Sequence, residues 1–165
     1  MVIDTSVILD FHRGELLPSL FELPYCFLAP DTIISELKRP PGLFVSVLGL
    51  HPYSLTGEQV LSATRLRNEH RGLSVADLHA FVLARALGLT LLTGDKLLRR
   101  LAQENNVTVH GTLWLLDKLV CQEVVTPPRA AAALRQMLER GARLPKDPCE
   151  KRLTTWEAAR PTTSD

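Results

Sequence analysis

The order of short apolar runs and helical segments predicts an α/β fold on a parallel sheet. Three observations carry this reading. Apolar runs at Val2-Ile3, Tyr25–Leu28, Leu89–Leu92 and Val107–Val109 alternate with segments of helical pattern. Strand, helix, strand, helix, strand at this spacing implies crossover connections between parallel neighbours. The segment Val75–Ala86 is apolar nearly all round, the mark of a helix buried between other elements.

Taken in order, Val2-Ile3 reads as a strand ending at Asp4-Thr5-Ser6, where a helix through Val7, Ile8 and Leu9 starts. Leu16–Leu23 is a second short helix, stopped by Pro24, and Tyr25–Leu28 a strand. Pro30-Asp31-Thr32 opens a helix carrying Ile33, Ile34 and Leu37, which Pro40-Pro41 ends. Tyr53-Ser54-Leu55 reads as an edge strand, and Thr56 caps a polar helix to about Arg71. Ser74-Val75-Ala76-Asp77 has the form of a capping box, and Gly88 is the expected stop of the helix it opens. Leu89–Leu92 is a central strand, followed by Thr93-Gly94-Asp95 and a helix to about Asn105. Val107–Val109 is the last strand, and Gly111-Thr112 begins another helix. After the break at Thr126-Pro127-Pro128 come an Ala-rich helix over 129–140, a stop at Gly141, and a last helix from about Pro148 to Ala159. The expected organisation is a domain over 1–125 and a helical appendage over 126–165.

Composition bounds the function. With 165 residues, 45% hydrophobic and 22% charged, the chain can bury a core and is not of disordered type. Net charge is +1, which excludes a histone-like polyanion coat. The charge is uneven: residues 1–125 carry 11 basic and 13 acidic groups, residues 126–165 carry 8 and 5. No apolar run reaches the ~18 residues of a membrane span, and Met1-Val2-Ile3-Asp4 has no secretory character. Cys26, Cys121 and Cys149 are odd in number and far apart, which suits a reducing cytoplasm better than a disulfide framework or a thiolate zinc site.

The candidate chemistry lies in Asp4, Glu36, Asp77 and Asp95. Asp4 follows the first strand directly and Asp95 follows the Leu89–Leu92 strand by three residues. In a parallel sheet both strand ends lie on one edge, the edge where such sheets bind ligands. Asp77 enters the first turn of the helix feeding the second of these strands, and Glu36 borders the apolar face of its helix. Four gathered carboxylates repel unless cations sit among them. Oxygen-only ligands suit Mg²⁺ or Mn²⁺, ions that activate water and neutralise a scissile phosphate. Each acid also has a plainer role. Asp4 and Asp95 can cap helices, Asp77 can complete the box with Ser74, and Glu36 can pair with Arg39. Their shared placement is what favours a site.

Val2-Ile3-Asp4-Thr5-Ser6, Ser35-Glu36-Leu37, Ser74-Val75-Ala76-Asp77 with Ala80 and Ala84, and Leu91-Leu92-Thr93-Gly94-Asp95 resemble, in order and spacing, the PIN-domain family over about residues 1–125. The resemblance implies a central, mostly parallel sheet flanked by helices, with a short C-terminal helical appendage. It implies a metal-dependent nuclease acting mostly on RNA, of the kind found as VapC-like toxins of toxin–antitoxin pairs. The family's four acids match Asp4, Glu36, Asp77 and Asp95, and its supporting hydroxyls match Ser6 and Thr93. Lys96 stands where some members carry a further acid, which implies one firmly bound ion.

The expected function is therefore a Mg²⁺- or Mn²⁺-dependent endoribonuclease of the cytoplasm, with an RNA substrate, a protein antitoxin, a possible homodimer and no membrane. Lys96, Arg99 and Arg100 share a helical face beside Asp95 and are candidates for RNA phosphates, or else a solvated face. Arg65, Arg67 and Arg71 read as plain surface and His79 as a satisfied core histidine. Two rivals stand: a PIN-fold module that binds RNA or protein without cleaving, and a metal-dependent DNA nuclease or phosphohydrolase.

Overall fold

The computed structural model of the protein describes residues 1–159. Its centre is β1 (Val2–Ile3), both residues wholly buried. β2 (Phe27–Pro30) and β3 (Leu50–Tyr53) lie to one side of β1, β4 (Leu91–Leu92) and β5 (Val109–His110) to the other. The order is β3-β2-β1-β4-β5 and every pairing is parallel. The register sets Val2 beside Leu28 and Leu91, and Ile3 beside Leu92. The chain thus builds the sheet outward from β1 in one direction, then returns to build from β1 in the other. The crevice between the ends of β1 and β4 is the switch point of such a sheet, where α/β folds place their ligands.

The described residues form two compact units. The first holds Met1–Leu9 and Tyr25–Gly111, and so the whole sheet. α1 (Thr5–Arg13) starts in it. α3 (Asp31–Glu36), α4 (Gly42–Leu48), α5 (Gly57–Glu69), α6 (Val75–Leu87) and α7 (Lys96–Glu104) complete it. α6 is the helix expected to be buried. Ala76, Leu78, Ala80, Phe81, Val82, Leu83 and Ala84 are all buried, and it packs on β1, β2 and β4. Its ends are local chemistry. Ser74 and Asp77 make the full capping box, and Gly88 turns left-handed at φ 63° to stop it. α5 starts with a second full box, Thr56 with Gln59.

α4 and the position of β3 depart from the sequence reading. Residues 42–48 form a helix where none was expected. β3 occupies Leu50–Tyr53 rather than Tyr53–Leu55. α4 packs on α3 through Gly42, where a Cβ would lie 1.9 Å from the Ile34 carbonyl oxygen, so no larger residue fits. Its apolar residues Leu43 and Val47 face solvent, 80% and 86% exposed, so the hydrophobic pattern gave no helical stripe to read.

The second unit holds Asp10–Pro24 and the described chain from Thr112 on. It contains the end of α1, α2 (Leu17–Leu20), α8 (Thr112–Cys121), α9 (Pro127–Glu139) and α10 (Lys146–Ala158). Buried Asp10 accepts from Thr112 Oγ1 at 2.8 Å and pairs with Arg13 at 3.2 Å. Leu134 and Met137 of α9, and Leu153 and Trp156 of α10, are buried inside this unit, so the apolar faces of both helices cover its own core. Arg152 holds Asp117 of α8 with two bonds, and Arg135 holds Glu157. The appendage expected over 126–165 is thus grouped with α8 and Asp10–Pro24; its residues 160–165 lie outside the described residues. Among the described residues no helix is long and apolar enough to cross a membrane.

Candidate active site

Asp4 is the first residue past β1, and its amide continues the sheet by donating to the Leu92 carbonyl at 2.9 Å. This holds the carboxylate at the switch point, 2% exposed. Its Oδ2 accepts from Ser6 Oγ and from Thr93 Oγ1, each at 2.8 Å. Both hydroxyls are themselves oriented: Gly94 N donates to Ser6 Oγ at 2.9 Å, and Asp95 N to Thr93 Oγ1 at 3.0 Å. Each hydroxyl accepts from the loop backbone and turns its own proton to Oδ2. Two donors already meet Oδ2, so a proton on Asp4 belongs on the other oxygen.

That other oxygen, Oδ1, is buried and has no hydrogen-bond partner. A buried carboxylate oxygen without a donor is costly, and one in this position needs an explanation. The Asp4 pKa is raised from 3.8 to about 6, first by burial and then by the charge of Asp77; the Ser6 and Thr93 bonds and the nearby Thr5 amide oppose the shift. A proton or a cation at Oδ1 relieves the same deficit.

Asp77 and Asp95 keep their plainer roles too. Asp77 Oδ2 accepts from Ser74 N at 2.7 Å, and Asp95 Oδ1 from Leu98 N at 2.8 Å as N-cap of α7. Each cap uses one carboxylate oxygen and leaves the other free of that bond. Asp77 is near enough to Asp4 to raise its pKa. Glu36 is the exposed last residue of α3, next to buried Leu37, and among the described residues no hydrogen bond links it to the other three acids. Its charge reaches His79, opposing the lowering that burial imposes on that imidazole. Among the described residues, no three His, Cys, Asp or Glu side chains are grouped so that they could hold a metal ion. The structure therefore links Asp4, Ser6, Thr93 and the backbone amide of Asp95 through hydrogen bonds and Asp77 through charge, and leaves Glu36 outside this set.

The cations differ from the expected shared face. Lys96 is exposed beside Asp95. Arg99 is turned inward, its Nη2 donating to the Thr93 carbonyl at 2.9 Å. Arg100 pairs with Glu104 at 2.8 Å. Arg67, read as plain surface, donates to the Leu73 carbonyl at 2.6 Å, one residue before the Ser74 cap. No sequence pattern marks either carbonyl contact, because each depends on a loop coming back within reach of a helix. His79 is satisfied as expected, with Nδ1 3.2 Å from Thr32 Oγ1. A groove of about 350 Å³ between Glu69–Leu73 and α7 contains none of the four acids.

An all-parallel sheet with a buried carboxylate at its switch point, and a second acid near enough to act on its charge, places the chain among α/β proteins with a site at the strand ends. The family model that matches is DUF3368, a PIN domain, over residues 1–158. The chain belongs to the PIN-domain family, whose members are generally nucleases and typically use divalent metals. No curated protein and no solved structure matches the chain.

Proposed function

We propose that this protein is a metal-dependent endoribonuclease that hydrolyses RNA phosphodiester bonds, the toxin of a type II toxin–antitoxin pair acting in the cytoplasm. One observation carries the reading. Asp4 Oδ1 is buried without a partner while its twin oxygen is held by two oriented hydroxyls. Such an oxygen fits a hard cation. Asp4, with Asp77 and Asp95 from the helices beside it, would supply the oxygens for Mg²⁺ or Mn²⁺, ions that need only one or two carboxylates beside water; Glu36, outside that set, would not ligate the ion without a shift of α3. When bound, such a cation lowers the pKa of water and neutralises charge on the scissile phosphate.

The chain's own residues supply the rest. Ser6 and Thr93 hold the Asp4 carboxylate through Oδ2 and leave Oδ1 without a partner. The Ser74 box and the α7 cap each hold one oxygen, of Asp77 and Asp95 respectively. Exposed Lys96 and Arg100 would meet the RNA backbone, the weak surface pair of Arg100 with Glu104 notwithstanding, whereas Arg99 is held by the Thr93 carbonyl. An antitoxin presenting Arg or Lys would pair with these carboxylates and displace metal. A homodimer belongs to the same reading. A second reading, a module that binds RNA or protein without cleaving, is favoured by the position of Glu36 outside the acid set.

Cleavage of a structured RNA with millimolar Mg²⁺ or Mn²⁺ tests the choice. Wild type should cut and Asp4→Asn should lose activity by at least two orders of magnitude while staying folded. Equal cutting by both rejects the mechanism, RNA binding without cutting supports the second reading, and preferential cutting of DNA rejects the RNA assignment. Expression of this chain alone in a bacterial host should arrest growth if the toxin assignment holds.

A further inference from the structure

Thr93 is the hub of the acid site, and all its polar groups are engaged. Its hydroxyl donates to Asp4 and accepts from the Asp95 amide; its own amide donates to the His110 carbonyl at 3.0 Å. The carbonyl is the exception to ordinary sheet pairing. The β4–β5 ladder runs from Leu91 N on Thr108 O to Thr93 N on His110 O, and β5 ends there. The next ladder donor to Thr93 O would come from beyond Gly111, where the chain has already left the strand for a helix. Thr93 is fully buried, so its carbonyl needs another donor. Arg99 provides it at 2.9 Å.

The guanidinium reaches that oxygen through a slot that Gly111 leaves open. A Cβ at residue 111 would lie 2.8 Å from Arg99 Nη2 and 3.2 Å from the Thr93 carbonyl oxygen. Arg99 also belongs to the first turn of α7, its amide bonded to the Asp95 carbonyl at 3.0 Å. The side chain thus ties the start of α7, capped by Asp95, back onto the residue that holds Asp4. We propose that Arg99, seated in the Gly111 slot, is a positioning residue that fixes the distance between the Asp4 and Asp95 carboxylates and so the metal affinity of the site. This rests on the nuclease reading above. Arg99 acts through Thr93 and is not a phosphate ligand.

Calorimetric titration with Mn²⁺ alone tests it on the full chain: wild type, Arg99→Met, Gly111→Ala, the double variant and Arg99→Lys, each checked for a cooperative melt. Arg99→Met and Gly111→Ala should each raise the Mn²⁺ Kd about tenfold, the range found for outer supports of metal ligands. The double variant should be no worse than either, since both remove one contact. Arg99→Lys should recover part of the loss. Binding by Arg99→Met within twofold of wild type overturns the inference and leaves the acid site standing. Additive losses in the double variant also overturn it. Should Arg99→Met fail to fold, Gly111→Ala against Arg99→Lys decides by the same criterion. Absence of Mn²⁺ binding by wild type overturns the acid-site reading, and this inference with it.

Discussion

Replacing Asp4 by Asn should make the protein more stable at pH 8 while removing its activity. The Asp4 pKa rises from 3.8 to about 6 on folding. The folded state therefore holds that proton more tightly than the unfolded chain. Stability from this group is fully present below pH 3.8 and is lost as pH rises through about 6. Roughly two pKa units at about 1.36 kcal/mol each amount to about 3 kcal/mol of cost, complete by pH 8. Asn has no charge to bury. Its carbonyl oxygen can accept the Ser6 and Thr93 bonds, but its amide falls where Oδ1 had no partner, at a cost of about 1 kcal/mol. The net gain at pH 8 is about 2 kcal/mol, or about 4–8 °C in Tm for a chain of this size. Paired melts of the two proteins in EDTA from pH 4.5 to 8.5 measure it, because other groups cancel in the difference. The advantage of Asn should grow through pH 6 and vanish or reverse near pH 4.5. Millimolar Mn²⁺ at pH 8 should raise the Tm of wild type alone. An Asn variant no more stable at pH 8, or stabilised equally at every pH, would refute the reasoning.

Asp77→Asn should keep its helix capped and remove the like charge beside Asp4. The pH midpoint seen in the melts should then move below 6, by less than burial of Asp4 itself contributes; an upward or absent shift counts against the pairing. Truncation after Val125 removes α9 and α10 and uncovers the apolar residues of α8, among them Leu115, Leu116 and Leu119. The shortened protein should bind a hydrophobic dye and aggregate in light scattering, whereas a soluble, equally stable product would show that these helices cover nothing essential.

What the sequence determined by itself is local. Ser74 and Asp77 specify the start of α6 and Gly88 its end, because capping depends on residues a few positions apart. The same holds for Thr56 with Gln59 and for Asp95 at the head of α7. The position of the acids after β1 and β4 was legible too, since parallel strands must end on one edge. Tertiary structure decided the rest. α4 is set by the fit of Gly42 on Ile34, and its outward Leu43 and Val47 conceal it from any hydrophobic period. Glu36 is exposed because α3 stops at that residue, with Leu37 already extended. The missing partner of Asp4 Oδ1 and the inward turn of Arg99 arise from residues about ninety positions apart, or from a strand ending one residue early. Burial and ladder endings are properties of assembled neighbours, so no short window of sequence contains them.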